Sequence, residues 1–295
     1  MIRERDTLSA NGKITLSMFI FGTIGLFRRW IDLPSSLVAM ARGAIGMCFL
    51  LLVLRLRRGR LDRPAIRRAL PVLCLSSAAL GINWILLFEA YNYTSVATAT
   101  LCYYFAPMFI ILASPFLLKE RLTARKLLCV FAAFVGMVFV SGVLKTGFSG
   151  ASELRGVALG LCAAVFYACV VILNKRLTDL PAYDRTILQL GLSAVVLLPY
   201  VLLTEPVGEL RFTAVSLALL LVVGVVHTGF AYALYFGALP QVKVQTAAIL
   251  SYIDPVVAVL LSALLLREQM GVLGAVGAVL VIGAALVSEL PGRDS

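Results

Sequence analysis

Three ionisable residues, Arg42, His227 and Asp254, sit inside long apolar stretches of this chain. At 1.5 Å of rise per helical residue, all three lie within roughly 12–18 Å of an end of their stretch. A charge held that deep in hydrocarbon costs about 2.5–3.5 kcal/mol on insertion scales, so such groups face a bundle interior or a wet cavity. Asn83, Trp84, Tyr103, Tyr104 and Tyr252 fall at similar depth, with Tyr91, Tyr232 and Tyr235 nearer the ends, and Glu89 lies toward the outer end of its stretch, within reach of a long Arg42 side chain. Together these types can recognise a small molecule that carries both charges. Arg42 can take a carboxylate through two parallel N–H donors. Asp254 or Glu89 can take an ammonium. Aromatic faces can hold an apolar side chain, or a cation through the ring quadrupole.

Each candidate also has a structural reading. Arg42 fits a structural arginine, paired with Glu89 or with backbone carbonyls, as well as it fits a ligand group. His227 is the only histidine, and a lone histidine is more often a hydrogen-bonded core residue. Asp254 and His227 share a depth, which is compatible with proton coupling without requiring it.

The elements that must position these residues follow from composition. The 295 residues are 61% hydrophobic and 14% charged, against roughly 45–50% and roughly 25% in a soluble domain. Mean hydropathy is +0.99. The sequence predicts an all-α polytopic membrane protein with ten spans, at about 14–30, 35–54, 70–92, 95–118, 125–143, 154–174, 185–203, 213–238, 243–266 and 270–289. Backbone groups in lipid must bond internally, so the spans are helices. The net charge of +11 reads as loop charge and not as a nucleic-acid footprint. With the N-terminus inside, 19 of the 26 Lys and Arg residues fall in inner segments, seven of them between Arg55 and Arg68, and 6 fall outside. That bias places both termini in the cytoplasm and the protein in the inner membrane. The six cysteines show no metal-ligand spacing, and no metal or cofactor is expected. No phosphate loop, HExxH or GxSxG occurs, so neither an ATP motor nor a membrane hydrolase is indicated. The chain is not expected to be an enzyme.

The chain also repeats itself. At an offset of 148, fourteen of the forty positions from Gly81 to Glu120 match their partners, among them Tyr104/Tyr252, Pro107/Pro255 and Glu120/Glu268. At an offset of 147, Asp32-Leu33-Pro34 meets Asp179-Leu180-Pro181. Residues 1–143 and 154–289 thus form two five-span halves. Five is odd, so the second enters the membrane upside down, an arrangement common in secondary transporters with a site at the repeat interface. Pro107 and Pro255 each remove a donor from a helix ladder and mark a symmetric hinge or gate. Lys119-Glu120-Arg121 and Arg267-Glu268 end their spans, either as interfacial anchors or as a charge latch between halves. Gly271, Gly274, Gly277 and Gly283 form a small-residue stripe in the last span, suited to packing within a monomer.

In FEAYNYTSVATATLCYYFAPMFIILASPFLLKERLT and its weaker copy FGALPQVKVQTAAILSYIDPVVAVLLSALLLREQM, the chain resembles the drug/metabolite transporter superfamily, in its ten-span branch with two EamA-type halves. The resemblance implies a secondary transporter, often an exporter of amino acids or related metabolites, working by alternating access around a central cavity. It leaves substrate, direction and coupling ion open. Export of cationic drugs or quaternary amines is the alternative within transport. A membrane-embedded enzyme or lipid-handling protein is the alternative outside it, and would need a nucleophile or metal set that the sequence does not display.

Overall fold

The computed structural model describes residues 2–28, 30–94, 96–141, 151–206, 208, 210–265 and 272–289. Several positions of the sequence argument lie outside these residues: Arg29, Lys145, Arg267, Glu268, Gly271 and Arg293.

The described residues form helices: α1 (Ile2–Arg28), α2 (Ser35–Leu56), α3 (Arg63–Tyr93), α4 (Val96–Tyr103), α5 (Ala106–Leu118), α6 (Ala124–Ser141), α7 (Ala151–Arg176), α8 (Ala182–Thr204), α9 (Ala214–Val222), α10 (Ala231–Ala238), α11 (Val244–Leu250), α12 (Ile253–Leu265) and α13 (Val272–Glu289). Six helical segments are long and apolar enough to cross a membrane, and shorter apolar helices accompany them. Three junctions join helices into single spans. Residues 104–105 link α4 to α5 as span 4, and 251–252 link α11 to α12 as span 9. A π-helical stretch, Val223–Phe230, links α9 to α10 as span 8. With these joins the described residues make ten spans, the number expected from the sequence.

The repeated turn is visible in the backbone. Pro34 precedes α2 with φ −54° and ψ 143°, and Pro181 precedes α8 with φ −51° and ψ 136°. Each proline carbonyl accepts the amide four residues on, Val38 in one case and Arg185 in the other, both at 3.0 Å. A fixed proline φ is suited to a helix start.

Packing follows the same symmetry. Span 3 packs on spans 6 and 7, as span 8 packs on spans 1 and 2. Span 4 packs on span 6, as span 9 packs on span 1. Spans 2 and 7, 4 and 9, and 5 and 10 pack on their own counterparts. These main contacts are unchanged when spans 1–5 and 6–10 are exchanged. Close approach is bought with glycine: a Cβ on Gly136 of span 5 would stand 2.7 Å from the Gly277 carbonyl oxygen of span 10. One on Gly22 of span 1 would stand 2.5 Å from the Asp254 carbonyl oxygen of span 9.

Candidate functional site

The two broken spans meet at the centre. Pro107 and Pro255 do not sit in unbroken helix, as their surroundings in the sequence suggested. Each stands in the first turn of a restarted half-helix, α5 or α12, where the missing N–H has no partner to lose. Just before each restart the ladder tightens to three-residue bonds, from Phe105 N–H to the Cys102 carbonyl at 3.1 Å and from Tyr252 N–H to the Ile249 carbonyl at 3.1 Å. The breaks are joined directly: the buried Tyr252 hydroxyl donates to the Tyr104 carbonyl oxygen at 3.0 Å, and the two rings lie 6.4 Å apart.

Aromatic side chains collect around this crossing. Tyr103 lies 6.0 Å from Tyr104 and 5.5 Å from Tyr167 of span 6. Tyr232 of span 8 lies 5.2 Å from Phe21 of span 1. Tyr103, Tyr104 and Asp254 are only partly buried although they stand in the middle of the assembly. These three side chains are the accessible part of the crossing, the chamber.

Two opposite charges border that lining. Arg42 on α2 places its guanidinium 4.7 Å above the Trp84 ring of α3, a cation–π contact that leaves the in-plane N–H donors free. Its Nε is buried without a hydrogen-bond partner. Arg42 interacts electrostatically with Tyr91, Tyr103 and Tyr232. Asp254, in the first turn of α12, interacts with Tyr103, Tyr104 and Tyr232. Tyr103 and Tyr232 therefore each lie within the electrostatic reach of both charges. Among the described residues no acid pairs with Arg42 and no base pairs with Asp254.

The structure does not bring Glu89 to Arg42. The Tyr200 hydroxyl of α8 donates to its Oε1, and Asn92 Nδ2 donates to Oε2 at 3.3 Å. Asn83 is fully buried and spans two helices, with Nδ2 donating to the Ala163 carbonyl at 2.7 Å. Its Oδ1 has no partner, and Tyr103 lies beside it. His227 is 2% exposed, set in the π-helical stretch with Nε2 at 2.8 Å from Thr23 Oγ1 and its ring edge-on to Phe27 at 4.8 Å. It lies on the seam between spans 1 and 8, close enough to Arg42 to feel its charge. The π-helical stretch is where span 2 approaches most tightly: a Cβ on Gly46 would meet Gly229 N at 3.1 Å and the Gly224 carbonyl oxygen at 3.2 Å.

Some participants were not singled out from the sequence. Tyr232, placed there nearer an interface, lies in the chamber beside Trp84. The signal was present, since Trp84 and Tyr232 are repeat partners at the offset of 148. Others form a polar collar where spans 4, 6 and 8 end and spans 7 and 9 begin. Glu120 accepts Val244 N–H at 2.9 Å and Gln245 N–H at 3.5 Å, capping α11 with a carboxylate at the positive end of its dipole. Lys175 donates to the carbonyls of Leu239, Pro240 and Val242, the unsatisfied end of span 8. Arg185, expected among loop charges, is 1% exposed. It bonds the carbonyls of Asn174, Leu177 and Phe236. The Phe236 carbonyl needs this donor because the residue four further on is Pro240.

Known proteins give the arrangement its context. The model of the EamA-like transporter family matches residues 9–142 and again 154–289. The uncharacterized transporter YxxF of Bacillus subtilis is 29% identical over 264 residues, 88% of this chain and 83% of that protein. An uncharacterized transporter of Archaeoglobus fulgidus is 28% identical over 277 residues, 93% and 94% of the two chains. Protein PecM of Dickeya dadantii is 25% identical over 218 residues, 73% and 72% of the two. A crystal structure superposes with a TM-score of 0.85 over 95% of this chain and 96% of its own, at 21% identity, a likeness of fold alone. A family model that matches twice, on either side of residues 143–153, accounts for the crossed half-helices and the mirrored packing, and the chain belongs to the EamA-like transporter family.

Proposed function

We propose that this transporter moves small amino acids or related metabolites, outward, by alternating access. The observation that carries the reading is that Arg42 and Asp254 border one tyrosine-lined chamber with neither charge neutralised by a protein partner. Charges held unpaired at the centre of a bundle are costly, and a ligand of opposite charge offsets that cost. A substrate carboxylate on Arg42 and its ammonium near Asp254 satisfy both at once, with Tyr103, Tyr104, Trp84 and Tyr252 forming the walls and Asn83 adding a polar contact. Glu89, bonded to Tyr200 and Asn92, and His227, bonded to Thr23, support the site from behind. A purely cationic cargo leaves Arg42 unsatisfied, so drug or quaternary-amine export ranks second.

Residues 1–143 and 154–289 act as inverted repeats. Rocking one against the other about the Tyr104–Tyr252 crossing opens the chamber to alternate sides, with Pro107 and Pro255 setting where the helices bend. The chain works as a monomer in the inner membrane with both termini in the cytoplasm, and proton movement can drive it through Asp254 or His227. Counterflow in proteoliposomes tests the substrate class without presuming a coupling ion. Liposomes loaded with unlabelled neutral and aromatic amino acids should take up at least one labelled member of the set. Exchange of cationic amines alone by folded protein would overturn the reading.

A further inference from the structure

Outside the chamber, the strongest concentration of unexplained chemistry lies between α2 and α3. Arg55, Arg57, Arg58, Arg60, Arg63, Arg67 and Arg68 fall within fourteen residues, and all are exposed. Among the described residues none is paired with a carboxylate. The acids nearby are already engaged by backbone: Asp184 Oδ2 accepts Asp62 N–H at 2.7 Å, and Asp62 Oδ1 accepts Ala65 N–H at 3.0 Å to cap α3. The turn is preformed. Arg58 adopts φ 53°, and Gly59 N–H closes on the Leu54 carbonyl at 2.9 Å.

This turn roofs a cavity of about 230 Å³. Its lining combines apolar Val53 and Leu54 of α2 and Pro181 with Arg57, Arg60 and Tyr183 at the start of α8, and it also includes Asp62 and Asp184, the two carboxylates already bonded to backbone N–H groups. Arg57 lies 6.0 Å from the Tyr183 ring centre, so its face is occupied and its N–H edge is free. Leu56, beside the cavity, is 74% exposed. With 31 residues, α3 is about 46 Å long. The hydrocarbon core is only about 30 Å thick, so the first turns of α3, with Arg63, Arg67 and Arg68, extend into the headgroup layer.

We infer that this cavity binds the headgroup of an anionic phospholipid. The phosphodiester sits on Arg57 and Arg60, and an acyl chain runs down the Val53–Leu56 face of α2. Apolar walls, two arginines whose donors are not spent on the Asp62 and Asp184 carboxylates, five further exposed arginines around them, and a position at the membrane boundary match a lipid, whose charged and apolar parts are joined. A bound lipid would tie the α2–α3 connection to the start of α8, the point where the two halves adjoin.

The inference is tested on the full chain in detergent. Phosphatidylglycerol and phosphatidylcholine with identical acyl chains are titrated together, and bound lipid is counted by native mass spectrometry. Phosphatidylglycerol should be retained about tenfold in preference. The double variant Arg57→Ala/Arg60→Ala should lose that preference entirely, since each basic side chain at a membrane surface contributes about 1 kcal/mol and two together exceed what a tenfold ratio requires. Arg57→Lys/Arg60→Lys should keep most of it, showing that the loss is not one of folding, and Arg121→Ala should leave it unchanged. Equal retention of both lipids, or an equal loss in Arg121→Ala, would overturn the inference. So would displacement by glycerol 3-phosphate at the same concentration, which would identify a soluble anion as the ligand.

Discussion

The chamber and the collar both hold charges within the helix assembly, and they treat them in opposite ways. In the collar, Glu120, Lys175 and Arg185 are each taken up by backbone groups that a helix end or a proline left unsatisfied. Those charges are answered within the chain, and their work is to hold spans 4, 6, 7, 8 and 9 together. In the chamber, Arg42 and Asp254 face the same tyrosines and are answered by no opposite charge among the described residues. Burial alone therefore does not mark a functional charge in this protein. The useful distinction is whether the chain itself supplies the partner.

That distinction predicts different failures in the two regions. Neutralising a chamber charge, by Asp254→Asn or Arg42→Gln, should lower counterflow at least a hundredfold while thermal unfolding stays within a few degrees of the parent, because removing an unpaired buried charge does not weaken a fold. A large drop in melting temperature in either variant would place that residue in the collar's class. Arg185→Met should do the reverse. It strands the carbonyls of Leu177 and Phe236, while that of Asn174 keeps the Leu177 N–H, and should lower stability by about 3 kcal/mol, since an unsatisfied buried carbonyl costs about 1–3 kcal/mol. Exchange per folded molecule should be retained. The smallest effect belongs to Glu120→Gln, which keeps an acceptor on α11 and loses only the charge–dipole part, about 0.5–1 kcal/mol. A loss above 2 kcal/mol in the unfolding free energy would mean that Glu120 does more than cap.

Much of the architecture was legible because its signals are local and periodic. Apolar runs gave ten spans, and the Asp-Leu-Pro turn and the Tyr-Pro pair recurring at 147–148 residues gave the two halves. The Tyr104–Tyr252 bond is that repeat made physical. The candidate site was legible by depth, which singles out Arg42 and Asp254 in apolar surroundings. Depth does not give azimuth, the direction a side chain points around its helix. By distance along the helices Glu89 is within reach of Arg42, but it points to Tyr200. Arg185 read as a loop charge from its position in the chain, but the orphan carbonyl created by Pro240 draws it inside. The π-helical stretch had no clear mark beyond Gly224 and Gly229, which admit span 2 against its backbone.

The most direct test of the central claim removes one charge from the substrate and its partner from the protein. Once an exchanged amino acid is identified, its methyl ester, which lacks the carboxylate, and its N-acetyl form, which lacks the ammonium, are measured as inhibitors of counterflow in the parent, Arg42→Gln and Asp254→Asn proteins. The account predicts that the parent rejects both analogues, that Arg42→Gln no longer distinguishes the ester from the amino acid, and that Asp254→Asn no longer distinguishes the N-acetyl form. If both variants discriminate as the parent does, Arg42 and Asp254 do not hold the two ends of the substrate, and the claim fails.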